Sequence, residues 1–119
     1  ANTNTAVILN IEGRDAVNNF DEILTVENAD VYFVGLFDLS KSLGIPGDVS
    51  NPAVIHELKV IIEKANKLGK HVGTIATSEE KISQFLEMGV KYIAYLVECE
   101  VLRSGYESAV ESFSKELKK

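Results

Sequence analysis

The sequence is short of the residues that announce special chemistry. It has one cysteine, Cys99, in 119 residues, so no disulfide can form within the chain. A lone thiol fits a reducing, cytoplasmic compartment and reads as a buried, inert side chain. No apolar run is long enough to cross a bilayer, and no basic start leads into an apolar core, so neither a membrane span nor a signal peptide is expected. Positive charge is in deficit: 12 Lys and Arg face 18 Asp and Glu, for a net charge of −6. Recognition of phosphate needs a basic surface, so nucleic acid is excluded as the main partner. An acidic surface names no ligand, but it is compatible with cation binding. There is no clear linker, low-complexity tract or close repeat. A chain that opens on Ala1 and not on Met reads as a piece of something longer.

What is present is an ordinary globular composition, 45% hydrophobic and 25% charged. The length suffices for one core, so residues 1–119 are expected to form a single α/β domain. Four stretches dense in β-branched and aromatic residues read as strands: AVILNIE (6–12), DVYFVGLF (30–37), HVGTIAT (71–77) and YIAYLVE (92–98). Their near-continuous apolarity is that of strands buried on both faces. Helical patterns lie between them. Ala16, Val17, Phe20, Ile23 and Leu24 recur at helical spacing. Asn51 and Pro52 open a second helix that Gly69 closes, and Ser78 caps a third that ends at Gly89. Residues 100–118 carry a fourth, with Gly105 weakening its start and a basic tail suited to a helix C-terminus.

A βα unit repeated four times implies right-handed crossovers and a parallel sheet. Two architectures accommodate it: half of a TIM (β/α)8 barrel, or a small open doubly wound sheet with helices on both faces. In both, ligands bind beyond the carboxyl ends of the strands. Glu12 and Asp38 fall where the first two strands run out, and neighbouring parallel strands lie about 4.8 Å apart, so the two acids can share one divalent cation. Each acid alone has a plainer reading, Asp38 as the start of an Asx-type turn and Glu12 as a cap or a solvated side chain.

NIEGRDAVNNFDEILTVENADVYFVGLFDLSKSLGIPGDVSNPAV, followed by GKHVGTIA, resembles the C-terminal half of the HpcH/HpaI aldolase family. The likeness runs in register from about residue 6 to residue 98. It implies a class II, metal-dependent aldolase, a carbon–carbon lyase that cleaves or forms 2-keto-3-deoxy acids with pyruvate as one partner. Glu12 and Asp38 match the family's metal-binding carboxylates, with Mg²⁺ or Mn²⁺ as the expected cofactor. Asn10 stands where the family has a Gln that orients the keto acid. Gly35, Phe37 and Asp38 occupy the turn that would receive the pyruvate carboxylate, and Arg14 matches the Arg of the family's Glu-Thr-Arg. The departures are Gly13 for Thr, Leu36-Phe37 for Pro-Ala, which would crowd the pocket, and Leu96 and Glu98 for a Gly-x-Asp. The family's catalytic Arg and His come from the half that is absent, so no catalytic residue is assigned and the chain alone is expected to lack a complete site.

The expected partners are therefore a small keto acid or aldehyde, together with a second copy or a missing half-barrel that covers the open sheet edges. The alternative is a non-catalytic, degenerate half-barrel that serves as a binding or interaction module. A receiver-type signalling domain fits less well, because the last strand ends without a lysine. His56 and His71 lack ligand partners at metal spacing and read as structural. Arg14 reads as an ion-pair partner, Thr77-Ser78 as a helix cap, and Tyr92 and Tyr95 as core or interface.

Overall fold

A computed structural model describes residues 4–117. The chain runs β1 (Ile8–Ile11), α1 (Arg14–Asn18), α2 (Phe20–Ile23), β2 (Val31–Val34), α3 (Leu36–Ser42), α4 (Pro52–Lys67), β3 (His71–Ala76), α5 (Glu79–Met88), β4 (Tyr92–Tyr95) and α6 (Glu98–Leu117). The four strands are parallel and lie in the order β1-β2-β3-β4.

That order decides between the two architectures. A doubly wound sheet reverses its strand order at a switch point and carries helices on both faces. Here the order never reverses, and the helices cover one face. Side chains alternate along a strand. On the covered side Ile11, Tyr32, Val34, Val72 and Ala76 join Phe20, Leu39, Leu58, Ile61 and Phe85 in the core. On the other side the register aligns Ile8 with Val31 and His71, then Asn10 with Phe33, Gly73 and Tyr92, then Ile75 with Ala94. None of these side chains joins that core. The molecule is half of a TIM-type barrel, and the second face expected from the apolar strands lies outside its core.

The local signals explain most elements. The Asn51 side chain accepts from the Ala53 N–H at 3.0 Å, Pro52 begins α4, and Lys64 and Lys67 lie in its last turn. Ser78 caps α5 through the Lys81 N–H at 3.2 Å, and Gly89 ends it in the left-handed conformation. The first helical pattern is divided at Asn19 into two short helices, although Phe20 and Leu24 still reach the core. An ion pair of 2.8 Å between Lys64 and Asp21 ties α4 to α2.

Three expectations are corrected. The second strand stops at Val34, and residues 36–42, read as the end of a strand and a loop, form α3. Cys99 is exposed on α6. Of the core or interface reading of Tyr92 and Tyr95, the core half is removed, with exposures of 42% and 51%, although Tyr92 packs edge-on against Phe33 at 6.2 Å. Gly73 makes that packing possible, since a Cβ there would lie 2.9 Å from the Tyr92 ring. Helix α6, in which Gly105 is fully helical, buries none of its residues. It projects Leu102, Tyr106, Val110, Phe113 and Leu117 into solvent from one stripe and stretches the molecule to 63 Å.

Candidate active site at the carboxyl ends of the strands

The mouth of the half-barrel is built where β1 and β2 end. The Gly35 N–H donates to the Ile11 carbonyl at 3.0 Å, carrying the pairing one residue past β2. Glu12 follows Ile11 directly and therefore lies beside Gly35 across the strands. A Cβ on Gly35 would stand 3.0 Å from Glu12 Cγ and 3.6 Å from Glu12 Oε1. The glutamate side chain thus lies over the glycine, on the side from which α3 departs. Gly35 contributes an absent side chain to the site, because its N–H is already committed to the sheet.

Asp38 is not at a strand end, as the sequence suggests, but in the first turn of α3, which Gly35 opens. No side chain caps α3 at Gly35, so the first-turn N–H groups of Leu36, Phe37 and Asp38 have no helical partner and remain available to an anion. An acid in this turn is favoured by the helix dipole. Glu12 and Asp38 are both exposed, and among the described residues neither carboxylate takes part in a hydrogen bond or ion pair. The Asx-type turn considered for Asp38 is therefore not formed.

The donor set defines which metal fits. No group of three His, Cys, Asp or Glu side chains suited to a metal occurs among the described residues. An all-protein cage of the zinc type is thus not built here. Two carboxylates near one turn fit a hard cation such as Mg²⁺, which takes most of its ligands from water and substrate.

Around this corner the remaining expected residues are dispersed. Asn10 lies two residues before Glu12 on the bare face, level with Phe33. Leu36 turns into the core, whereas Phe37 is 59% exposed and has its ring beside Gly47. Phe37 borders a cavity of about 450 Å³ with Leu36, Gly47, Val49, Ile75, Thr77, Lys81, Phe85 and Val97. Lys81 is the cation that lines it, its amine donating to Gln84 at 2.9 Å. Arg14 lines a separate groove with Glu57 between α1, α3 and α4 and forms no ion pair among the described residues. His56 and His71 are exposed and remote from the mouth.

Two positioning residues escaped the sequence reading. Buried Ser40 donates to the Phe37 carbonyl at 2.6 Å and accepts from the Gly47 N–H at 3.0 Å. It fastens the loop after α3 to the turn that carries Phe37 and Asp38. Buried Thr74 donates to the Val34 carbonyl at 2.8 Å, fixing the end of β2. Ser40 was legible as the serine of Asp38-Leu39-Ser40, a triplet that the resemblance already contained. Leu96, at the end of β4, has φ of 61°, a left-handed conformation that burdens a bulky side chain.

The profile of the HpcH/HpaI aldolase/citrate lyase family matches residues 1–104. The chain belongs to this family. A 5-keto-4-deoxy-D-glucarate aldolase of Shigella boydii is 32% identical over 115 residues, which is 97% of this chain and 45% of that protein. The same holds for the Escherichia coli protein of that name. The chain therefore spans about half the length of the curated relatives it matches. Among solved structures, the citrate synthase SbnG superposes with a TM-score of 0.84 at 31% identity, over 97% of this chain and 47% of that one. An HpcH/HpaI family protein from Burkholderia cenocepacia superposes with a TM-score of 0.88 at 27% identity, over 96% of this chain and 44% of that one. These matches agree with four strands being half of an eight-stranded barrel.

Proposed function

We propose that this chain is the metal- and keto-acid-binding half of a carbon–carbon lyase that cleaves or forms 2-keto-3-deoxy acids, with pyruvate as one partner. The observation that carries the reading is the corner at the barrel mouth, where Glu12 lies over Gly35 beside the turn that holds Asp38. The relatives named as 5-keto-4-deoxy-D-glucarate aldolases support the reaction class. The neighbour named as a citrate synthase is why the acceptor stays unspecified.

In this reading Glu12 and Asp38 hold the cation. When bound, Mg²⁺ or Mn²⁺ supplies Lewis acidity at the keto oxygen of a chelated 2-keto acid. The free N–H groups of Phe37 and Asp38 bind the substrate carboxylate, in the manner of oriented backbone donors. Asn10 orients the keto acid from the bare face, and Gly35 leaves room for Glu12. Ser40 keeps the turn and its loop in place. The proton acceptor and the cationic group that the chemistry also needs come from the other half of a family barrel.

The second reading, a binding module without catalysis, is favoured by the end of β4. There the strained Leu96 and the helix that starts at Glu98 replace the family's Gly-x-Asp. Calorimetric titration of Mn²⁺ with and without oxalate, a mimic of the pyruvate enolate, separates the two. The lyase reading expects binding that oxalate strengthens and that the Glu12→Gln/Asp38→Asn double variant loses. Equal binding by the folded double variant would refute it.

A further inference from the structure

We infer that the cavity beside Phe37 is a binding site for a small carboxylate with an apolar, ring-sized body, held through the amine of Lys81. The cavity, of about 450 Å³, is walled by Phe37, Val49, Ile75, Phe85 and Val97. That size, with an apolar and aromatic lining and few polar groups, is what small-molecule sites have in common. The walls come from α3, the loop after it, β3, α5 and the residue that follows β4 by two.

The occupant follows from the polar groups. Thr77 and Lys81 bring the polar side chains to the lining, and no acid does. Lys81 is half-buried. Its amine donates to Gln84 Oε1 at 2.9 Å and lies 5.8 Å from the centre of the Phe85 ring. Both partners are neutral. Among the described residues no carboxylate pairs with Lys81. Glu79 and Glu80 stand in the same helical turn, but residues one and two positions apart on a helix do not face each other. The amine thus holds a charge without a counter-charge and donors beyond the one that Gln84 takes.

A cation partly withdrawn from water binds an anion more strongly than an exposed one does. A carboxylate can accept from the amine and from the Thr77 hydroxyl together. The aromatic and aliphatic walls then require the rest of the molecule to be apolar. An inorganic anion would leave those walls wet, and a neutral apolar molecule would leave Lys81 without a counter-charge. The cavity therefore differs from the mouth in what it takes. Phe37 joins the two: its N–H belongs to the open first turn of α3, and its ring borders the cavity. The inference does not rest on the metal reading, because neither Glu12 nor Asp38 lines the cavity.

The experiment is calorimetric titration of hydrocinnamate into the chain without metal, beside hydrocinnamyl alcohol and acetate. Saturable binding of hydrocinnamate is expected, with the alcohol and acetate each far weaker. Lys81→Met keeps the apolar stem and removes the charge, and the backbone N–H that meets Ser78 is untouched, so α5 stays capped. This variant should bind hydrocinnamate roughly 10-fold or more weakly, while Lys81→Arg restores most of the affinity. Lys59→Met, on exposed α4 surface, removes the same charge elsewhere and should change nothing. Nuclear Overhauser contacts give the place, from the ring protons of hydrocinnamate to the methyls of Ile75 and Val97. Equal affinity in Lys81→Met and the wild type overturns the inference, as does equal binding of the alcohol or of acetate. Ring contacts to Leu102 and Val110 of α6 in place of Ile75 and Val97 also overturn it. So does the absence of saturable binding, which assigns the cavity to another occupant.

Discussion

Tyr32 is the largest fully buried side chain, packed edge-to-face on Phe20 at 5.6 Å. Its hydroxyl has no hydrogen-bond partner among the described residues, and burial raises its pKa. An unsatisfied buried hydroxyl costs about 1–3 kcal/mol. Tyr32→Phe should therefore shift the urea midpoint upward with an unchanged slope. The sign of the pH effect follows from proton counting. Above about pH 10 the unfolded chain loses the tyrosine proton while the folded chain keeps it, so stability falls as pH rises through that value. The phenylalanine variant should show a weaker alkaline loss. At the mouth the telling residue is Gly35. Its φ of −79° suits any side chain, so only the contact with Glu12 opposes Gly35→Ala. That variant should keep its unfolding midpoint yet bind Mn²⁺ roughly 10-fold or more weakly, as read by calorimetry. Unchanged affinity would mean that the placement of Glu12 over Gly35 is irrelevant to the site.

The elements differ in how much their sequences disclosed. Helix α4 was legible to its ends because Asn51, Pro52 and Gly69 each have a positional role. Helix α3 was not. Leu36 and Phe37 continue the apolar run of β2, and nothing polar marks the change from an alternating to a helical repeat. The helix starts at Gly35 without a side-chain cap, so the usual start signal is missing. That gap misplaced Asp38 at a strand end, although the acid still falls at the mouth because helix and strand meet there. Helix α6 shows the opposite failure: its periodicity is clear, but its apolar stripe faces solvent. The consequence is measurable. Leu58→Ala, in the fully buried face of α4, should cost about 2–5 kcal/mol. Phe113→Ser, on exposed α6, should stay within about 0.5 kcal/mol. Urea denaturation at one low protein concentration compares the two directly. A large loss for Phe113→Ser would mean that α6 is packed in solution.

At the scale of the whole molecule, the sequence showed strands suited to burial on both faces, whereas one chain can cover only one. Helices α1 to α5 supply the core on one side of the sheet, and none of the rows on the other side joins that core. The apolar rows are thus a property of the closed barrel written into half of it. A cation held by Glu12 and Asp38 would stabilise the folded form, by about 2.7 kcal/mol at 100 times its dissociation constant. Mn²⁺ should therefore raise the melting temperature of the wild type and leave that of the Glu12→Gln/Asp38→Asn variant in place. An equal rise in both proteins would place the bound metal away from the barrel mouth.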